Sequence, residues 1–256
     1  WGCCWYVASG SIAVSDVSPV ASCPFRPSIT HGPWYSTSVT RAGTEGSPAC
    51  ACALMRTWSL RTATLPEGAT IGPTDPLKSA QEIATGVLAN VTPDQLDLPT
   101  PCEKWTVADL IDHLVGAQHW GRCAVDGLDT TDTGEGSAQG DFKAAFADAS
   151  AKVLASFQSD GALARTVNPG FGDIPAPALL GMVTTDTFQH SWDLATATGQ
   201  DNNLDPQLAD QLLDASRQAV QPAFRSDEGS IFGPEREAPD GANAAARLAA
   251  FLGRKV

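Results

Sequence analysis

Basic residues are scarce in this chain: 16 Lys and Arg stand against 29 Asp and Glu, leaving a net charge of −13 over 256 residues. Nucleic acids and anionic membranes need clustered Lys and Arg, so neither is expected as a partner. No apolar run reaches the roughly 18 residues that a membrane-spanning helix requires. Aromatic residues make up only 7% of the chain, but hydrophobic residues reach 43%, enough for a buried core. At about 150 residues per domain the length fits one or two globular units. These totals describe an acidic protein expected in the cytoplasm.

Charge is missing above all from the beginning. Residues 1–74 contain seven charged groups with a net of +1, so the remainder carries −14. Five of the seven cysteines, Cys3, Cys4, Cys23, Cys50 and Cys52, fall within the first 52 residues, and the first methionine is Met55. Cys3-Cys4 and Cys50-Ala51-Cys52 lack the Cys-x2-Cys spacing of a zinc module. Trp1–Val14 lacks the basic start of a secretory signal. The segment also shows no helical or strand period. Residues 1–74 are therefore read as a disordered or non-native extension with translation starting near Met55, and 75–256 as a helical domain. Cysteine arithmetic then rests on Cys102 and Cys123, which read as reduced core or loop thiols.

Helical punctuation begins at Asp75-Pro76, an N-cap followed by a proline suited to the first turn. Leu77, Ala80, Ile83, Ala84, Val87, Leu88 and Val91 recur at three- and four-residue steps and mark an apolar face. Thr92–Leu96 reads as a very short helix, and Leu98-Pro99-Thr100-Pro101 must be extended, because each proline restricts its predecessor. Thr106 and Asp109 form a capping-box variant that opens a helix running to about Val125. A loop over 126–139 precedes an amphipathic helix from Phe142 to Phe157. Asn168–Asp173 is dense in turn residues and predicts the tip of a small hairpin. Further helices are expected from Pro177 to Ala197, from Asp205-Pro206 to near Pro222, and from Asp240 through Leu252. The fold class is all-α, a four-helix bundle with short extra helices.

The helix over Pro177–Ala197 carries an anomaly. Its inward stripe should run Leu179, Met182, Val183, Asp186, His190, Asp193 and Ala197. Asp186 and His190 are separated by about 40° around the axis, so a carboxylate and an imidazole interrupt an apolar stripe. Burial of such groups is costly unless they pair or bind a metal. His113 interrupts the helix that opens at Thr106 in the same way, between Leu110 and Leu114. If the two helices are neighbours, His113, Asp186 and His190 converge in the interior as two nitrogens and one carboxylate with room for water or substrate. That set suits a divalent metal such as Zn, Ni or Fe. The plainer readings stay open: a hydrogen-bonded core histidine, and an ordinary i,i+4 pair between Asp186 and His190. Asp193 is a fourth ligand or an acceptor that orients a histidine. His31 and His119 are weaker candidates, Trp105, Trp120 and Trp192 read as core or pocket wall, and Arg217 and Arg225 as solvated surface groups before holders of an acidic substrate.

Two blocks carry a resemblance. The run from Val91 to Gly116, VTPDQLDLPTPCEKWTVADLIDHLVG, resembles the DinB/YfiT-like metal-binding proteins, nearest the actinobacterial branch that includes mycothiol-dependent maleylpyruvate isomerases. Asp186–Gly199, DTFQHSWDLATATG, is similar to the second ligand block of that branch. Phe232-Gly233-Pro234 and Leu248–Gly253 resemble its C-terminal end. The resemblance covers about residues 75–254 and implies a DinB-type bundle holding a divalent metal on His113, Asp186 and His190. The isomerases carry Glu where this chain has Asp186, which still permits ligation with a shorter reach.

What the resemblance implies is a thiol-dependent transferase or isomerase. The metal would take the sulfur of a low-molecular-weight thiol, with mycothiol as co-substrate, and lower its pKa. The thiolate would then attack an electrophilic carbon of a small substrate. The reading from another class is a metal- or ligand-binding stress protein without turnover.

Overall fold

A computed structural model describes residues 72–225 and 232–256. The expectations for residues 1–71, including His31, the five early cysteines and a start at Met55, lie outside the described residues. Six α-helices are present among those described: α1 (Asp75–Ala89), α2 (Val107–Asp126), α3 (Phe142–Gln158), α4 (Ala176–Ala197), α5 (Pro206–Ala219) and α6 (Ala244–Phe251). The only strands among the described residues are β1 (Thr166–Val167) and β2 (Ile174–Pro175), which pair antiparallel with Val167 opposite Ile174. The turn-rich segment 168–173 is the tip of that hairpin, as its composition predicts. The chain is all-α in class, and no helix among the described residues is long and apolar enough to cross a membrane.

Local chemistry explains most helix starts. Thr106 Oγ1 accepts from the Asp109 backbone N–H at 3.3 Å and Asp109 Oδ2 accepts from Thr106 N–H at 2.8 Å, so the capping box forms at the start of α2. Asp141, Asp205 and Asn243 cap α3, α5 and α6 through their side chains. Asp75 differs from its expected place. It lies inside α1, Thr74 occupies the cap position, and the Asp75 carboxylate accepts instead from Gly72 N–H at 2.6 Å. The last helix starts later than Asp240, because Gly241 takes a positive φ of 78° and Asn243 supplies the cap. Pro222–Phe224 leaves α5 as a separate turn of 3-10 helix.

The four longest helices form a ring in the order α1–α3–α2–α4, with α6 packed on α4 and α5 on α6. Two apolar clusters fill it. One gathers Leu179, Val183, Phe188 and Trp192 of α4 with residues of α5 and α6, and the other gathers Leu88, Leu110, Ile111, Leu114, Phe146 and Leu194. A buried amide network ties the four helices together. Gln81 Nε2 on α1 donates to Gln118 Oε1 on α2 at 2.9 Å and to the Ser150 carbonyl on α3 at 3.2 Å. Gln118 Nε2 donates to Thr187 Oγ1 on α4 at 2.9 Å. Such a chain fixes the axial register of the helices, since a slip of one turn would leave several buried polar atoms unpaired.

Helix α4 corrects one detail of the expected stripe. It is buried on nearly every side from Ala176 to Ala195, and the partly open positions are Pro177, Met182 and Asp186. Met182 and Asp186, about 40° apart around the axis, form one partly open edge, so Asp186 sits at the rim of the interior rather than at its centre.

Candidate metal centre

Helix α2 presents His113 two turns after its capping box, and α4 presents Asp186 and His190 one turn apart. The two helices pack together, and the three side chains meet. His113 Nε2 lies 3.2 Å from both Asp186 oxygens, and His190 Nε2 lies 3.4 Å from Asp186 Oδ1. One ligating atom from each residue falls within 4.8 Å of the other two. The imidazole centroids are 4.6 Å apart with planes at 73°. His113 and His190 are buried, whereas the Asp186 side chain keeps 19% of its surface exposed.

The segment before α2 closes the site from above. Leu98 O accepts from Val107 N–H and Leu96 O from Ala108 N–H, folding the extended prolines back on the helix start. This places the Trp105 ring 4.7 Å from His113 and 5.6 Å from His190, centroid to centroid. Trp105 is thus a wall of the site, as expected of one of the tryptophans. Trp120 instead donates through Nε1 to the Pro169 carbonyl at 2.9 Å, and Trp192 is wholly core. His119 pairs with Asp132 at 3.3 Å, apart from the centre. Arg217 is exposed beside Asp214, while Arg225 is half-buried and donates to the carbonyls of Gly233 and Phe251 rather than to solvent alone.

Asp193 faces the other side of the His190 ring. His190 Nδ1–H donates to Asp193 Oδ2 at 2.9 Å, so Nε2 is the nitrogen turned toward His113 and Asp186. The carboxylate is fully buried, at 0% exposure, and collects further donors. Arg254 gives Nε–H to Oδ1 at 3.0 Å and Nη2–H to Oδ2 at 2.9 Å; Gln189 Nε2 donates at 3.2 Å and Cys102 Sγ at 3.3 Å. Arg254 and the closeness of Cys102 were not legible in the sequence. A wholly buried carboxylate on α4 does demand a cation, but nothing local says which of the basic residues supplies it.

Electrostatics separates the two histidines. Burial pushes the His113 pKa below the ordinary histidine value and outweighs the attraction of Asp186. Burial acts the same way on His190, but the Asp186 charge and hydrogen bonds with Asp186, Asp193 and Cys102 overcome it and hold its pKa well above the usual value. Burial would raise both carboxylates. The charges of His113 and His190 instead hold Asp186 well below the carboxylate range, and Arg254 together with His190 does so for Asp193.

Two groupings have metal-ligand geometry among the described residues, and they share His190: His113 with Asp186 and His190, and Cys102 with His190 and Asp193. The second has a guanidinium already bonded to its carboxylate, so a cation there would meet like charge. The first offers two imidazoles and one carboxylate, a donor set that suits a borderline divalent ion. The residues of the first grouping therefore fit such an ion.

Residues 77–195, which span α1 to α4, match the model of the mycothiol maleylpyruvate isomerase N-terminal domain. Two uncharacterized proteins, from two strains of Mycobacterium tuberculosis, are each 40% identical to the chain over 186 residues, covering 71% of this chain and 99% of each relative. No solved structure matches the chain.

Proposed function

Because the chain belongs to the mycothiol maleylpyruvate isomerase N-terminal domain family, we propose that it holds one divalent metal on His113, Asp186 and His190 and uses it with a low-molecular-weight thiol. The reaction would be a transfer or isomerisation on a small electrophilic substrate, with a thiol of the mycothiol type as co-substrate. The observation that carries this reading is the convergence of one nitrogen from each of two imidazoles and one carboxylate oxygen, from two helices, within 4.8 Å of one another. Zn, Ni and Fe all accept that donor set with positions to spare. The metal would supply Lewis acidity that lets a thiol lose its proton near neutral pH.

The chain's own residues have separate tasks in this reading. Burial favours the neutral form of His113, the form in which a ring nitrogen can ligate an ion. Asp186 brings the negative charge that partly offsets a dication, and it stands at the partly open edge of α4 where a substrate would enter. Trp105 covers both imidazoles and limits water on that side. The same reading puts the protein in the cytoplasm, where small thiols stay reduced.

A second reading is a metal- or ligand-binding protein without turnover, and the burial of both histidines favours it. Metal analysis of protein purified without chelator or histidine tag separates the readings when paired with a thiol-conjugation assay. About one equivalent in the parent and almost none in His113→Ala/His190→Ala supports the centre. Thiol-dependent consumption of an electrophile by the loaded parent then supports the enzyme; metal without turnover supports the second reading. No metal in the parent, even after Zn or Ni is supplied, sinks the enzyme reading and leaves of the second only a metal-free ligand-binding protein.

A further inference from the structure

The side of His190 away from His113 and Asp186 is built as carefully as the side toward them. Asp193 receives the Nδ1 proton of His190, and Arg254 grips Asp193 with two nitrogens. We propose that Arg254, delivered by the turn after α6, is a positioning residue for the metal centre: it fixes Asp193, and Asp193 fixes which nitrogen of His190 faces the ion. This rests on the metal-binding reading above and deepens it.

The physical reason starts with Asp193. An ionised carboxylate at 0% exposure is stable only with charge and donors around it. Gln189 and Cys102 are neutral donors and cannot supply the charge. Arg254, itself only 4% exposed, supplies it through a planar fork that fits both carboxylate oxygens. With its charge balanced, Asp193 acts as an acceptor and selects the His190 tautomer whose Nε2 carries the lone pair. Without that anchor, the ring loses the partner that fixes its rotation and its proton placement.

The C-terminal turn is shaped to bring this cation in. Arg254 N–H donates to the Ala249 carbonyl at 2.9 Å, and Gly253 N–H to Ala250 at 3.0 Å, closing the end of α6. Gly253 has a φ of 98° and packs so closely on Gly233 that a Cβ there would approach the Gly233 Cα to 2.9 Å. The next residue, Lys255, donates to Glu103 Oε1 at 2.6 Å, in the segment that carries Cys102 and Trp105. Successive residues of the turn thus reach both walls of the site.

The test measures Zn2+ affinity by competition with a chromophoric chelator, with thermal unfolding followed in parallel, on the full chain. Arg254→Ala should weaken Zn2+ binding by roughly 10- to 100-fold at a temperature where it is fully folded. Arg254→Lys, which keeps the charge without the fork, should fall between that variant and the parent. Lys152→Ala, an exposed change on α3, should leave affinity unchanged. If Arg254→Ala fails to fold, Arg254→Gln, which fills the space with a neutral donor, carries the same expectation of at least about tenfold. A folded Arg254 variant, Ala or Gln, that melts earlier yet binds Zn2+ like the parent overturns the proposal and makes Arg254 a fastener of the C-terminal turn. A parent that takes up no Zn2+ overturns the metal reading itself and this inference with it.

Discussion

His190 and Asp193 lie one turn apart on α4, and the imidazole gives its Nδ1 proton to the carboxylate at 2.9 Å. A pair at that spacing would be a minor surface interaction on an exposed helix. Here both side chains are buried, and the pair decides the orientation of a ring that also faces His113 and Asp186.

Zn2+ uptake should release protons. The His190 pKa is raised above the ordinary value of about 6.5 in the metal-free protein, so at neutral pH an ion must displace its proton. His113, whose pKa is lowered, is already neutral there. Affinity should therefore rise about tenfold per pH unit below the His190 pKa and level off above it. Calorimetry in buffers of different ionisation enthalpy would report about one proton per ion; a value near zero contradicts the charge state given for His190.

Acid stability of the metal-free protein should depend on Asp193. Its folded pKa is depressed, so the stabilisation is complete above the unfolded value of about 3.9 and is lost as pH falls toward the folded one. Asp193→Asn should lower stability at neutral pH and flatten the decline of stability below about pH 4. Urea midpoints measured at several pH values check this, and a parental slope in the variant would contradict it.

Asp186 should tolerate lengthening better than loss of charge. Its side chain stands at the partly open edge of α4 with 19% exposure, where lengthening displaces less packed structure than at a fully buried position. Asp186→Glu should keep Zn2+ affinity within about tenfold of the parent, and Asp186→Asn should lose on the order of 100-fold or more. The same chelator competition distinguishes them. Equal affinity in Asp186→Asn would remove the carboxylate from the ligand set.

Two glycines should respond in opposite directions. A Cβ at Gly116 on α2 would collide with the Thr133 carbonyl, where the loop before α3 is held down by Asp112 accepting from Gly136 and Ala138 N–H. Gly116→Ala should cost about 1–3 kcal/mol by overpacking. Gly86 on α1 has nothing within 4 Å of such a Cβ, so Gly86→Ala should gain up to about 1 kcal/mol from helix propensity. Urea denaturation gives both values, and a neutral Gly116→Ala would mean the loop yields freely.

Helix α4 marks how far residue patterns reach. Within one helix the spacing of 3.6 residues per turn fixes which side chains share a face, so Asp186, His190 and Asp193 were legible as polar interruptions of an apolar stripe. The capping box at Thr106 placed His113 on α2 by the same local geometry. The stripe failed at Met182 and Asp186, because a helix covered on nearly all sides no longer divides into a wet and a dry half.

The sequence by itself determined the all-α class, the starts of most helices and the identity of the three converging side chains, because hydrogen bonding and side-chain period act within a few residues. Only the tertiary structure decided that His190 turns Nε2 inward, that Cys102 lies 3.3 Å from Asp193 across 91 positions, and that Arg254 reaches Asp193 across 61. Those contacts join elements with no local signal in common. Packing brings them together, and the need to neutralise a buried carboxylate then selects which distant residue answers it.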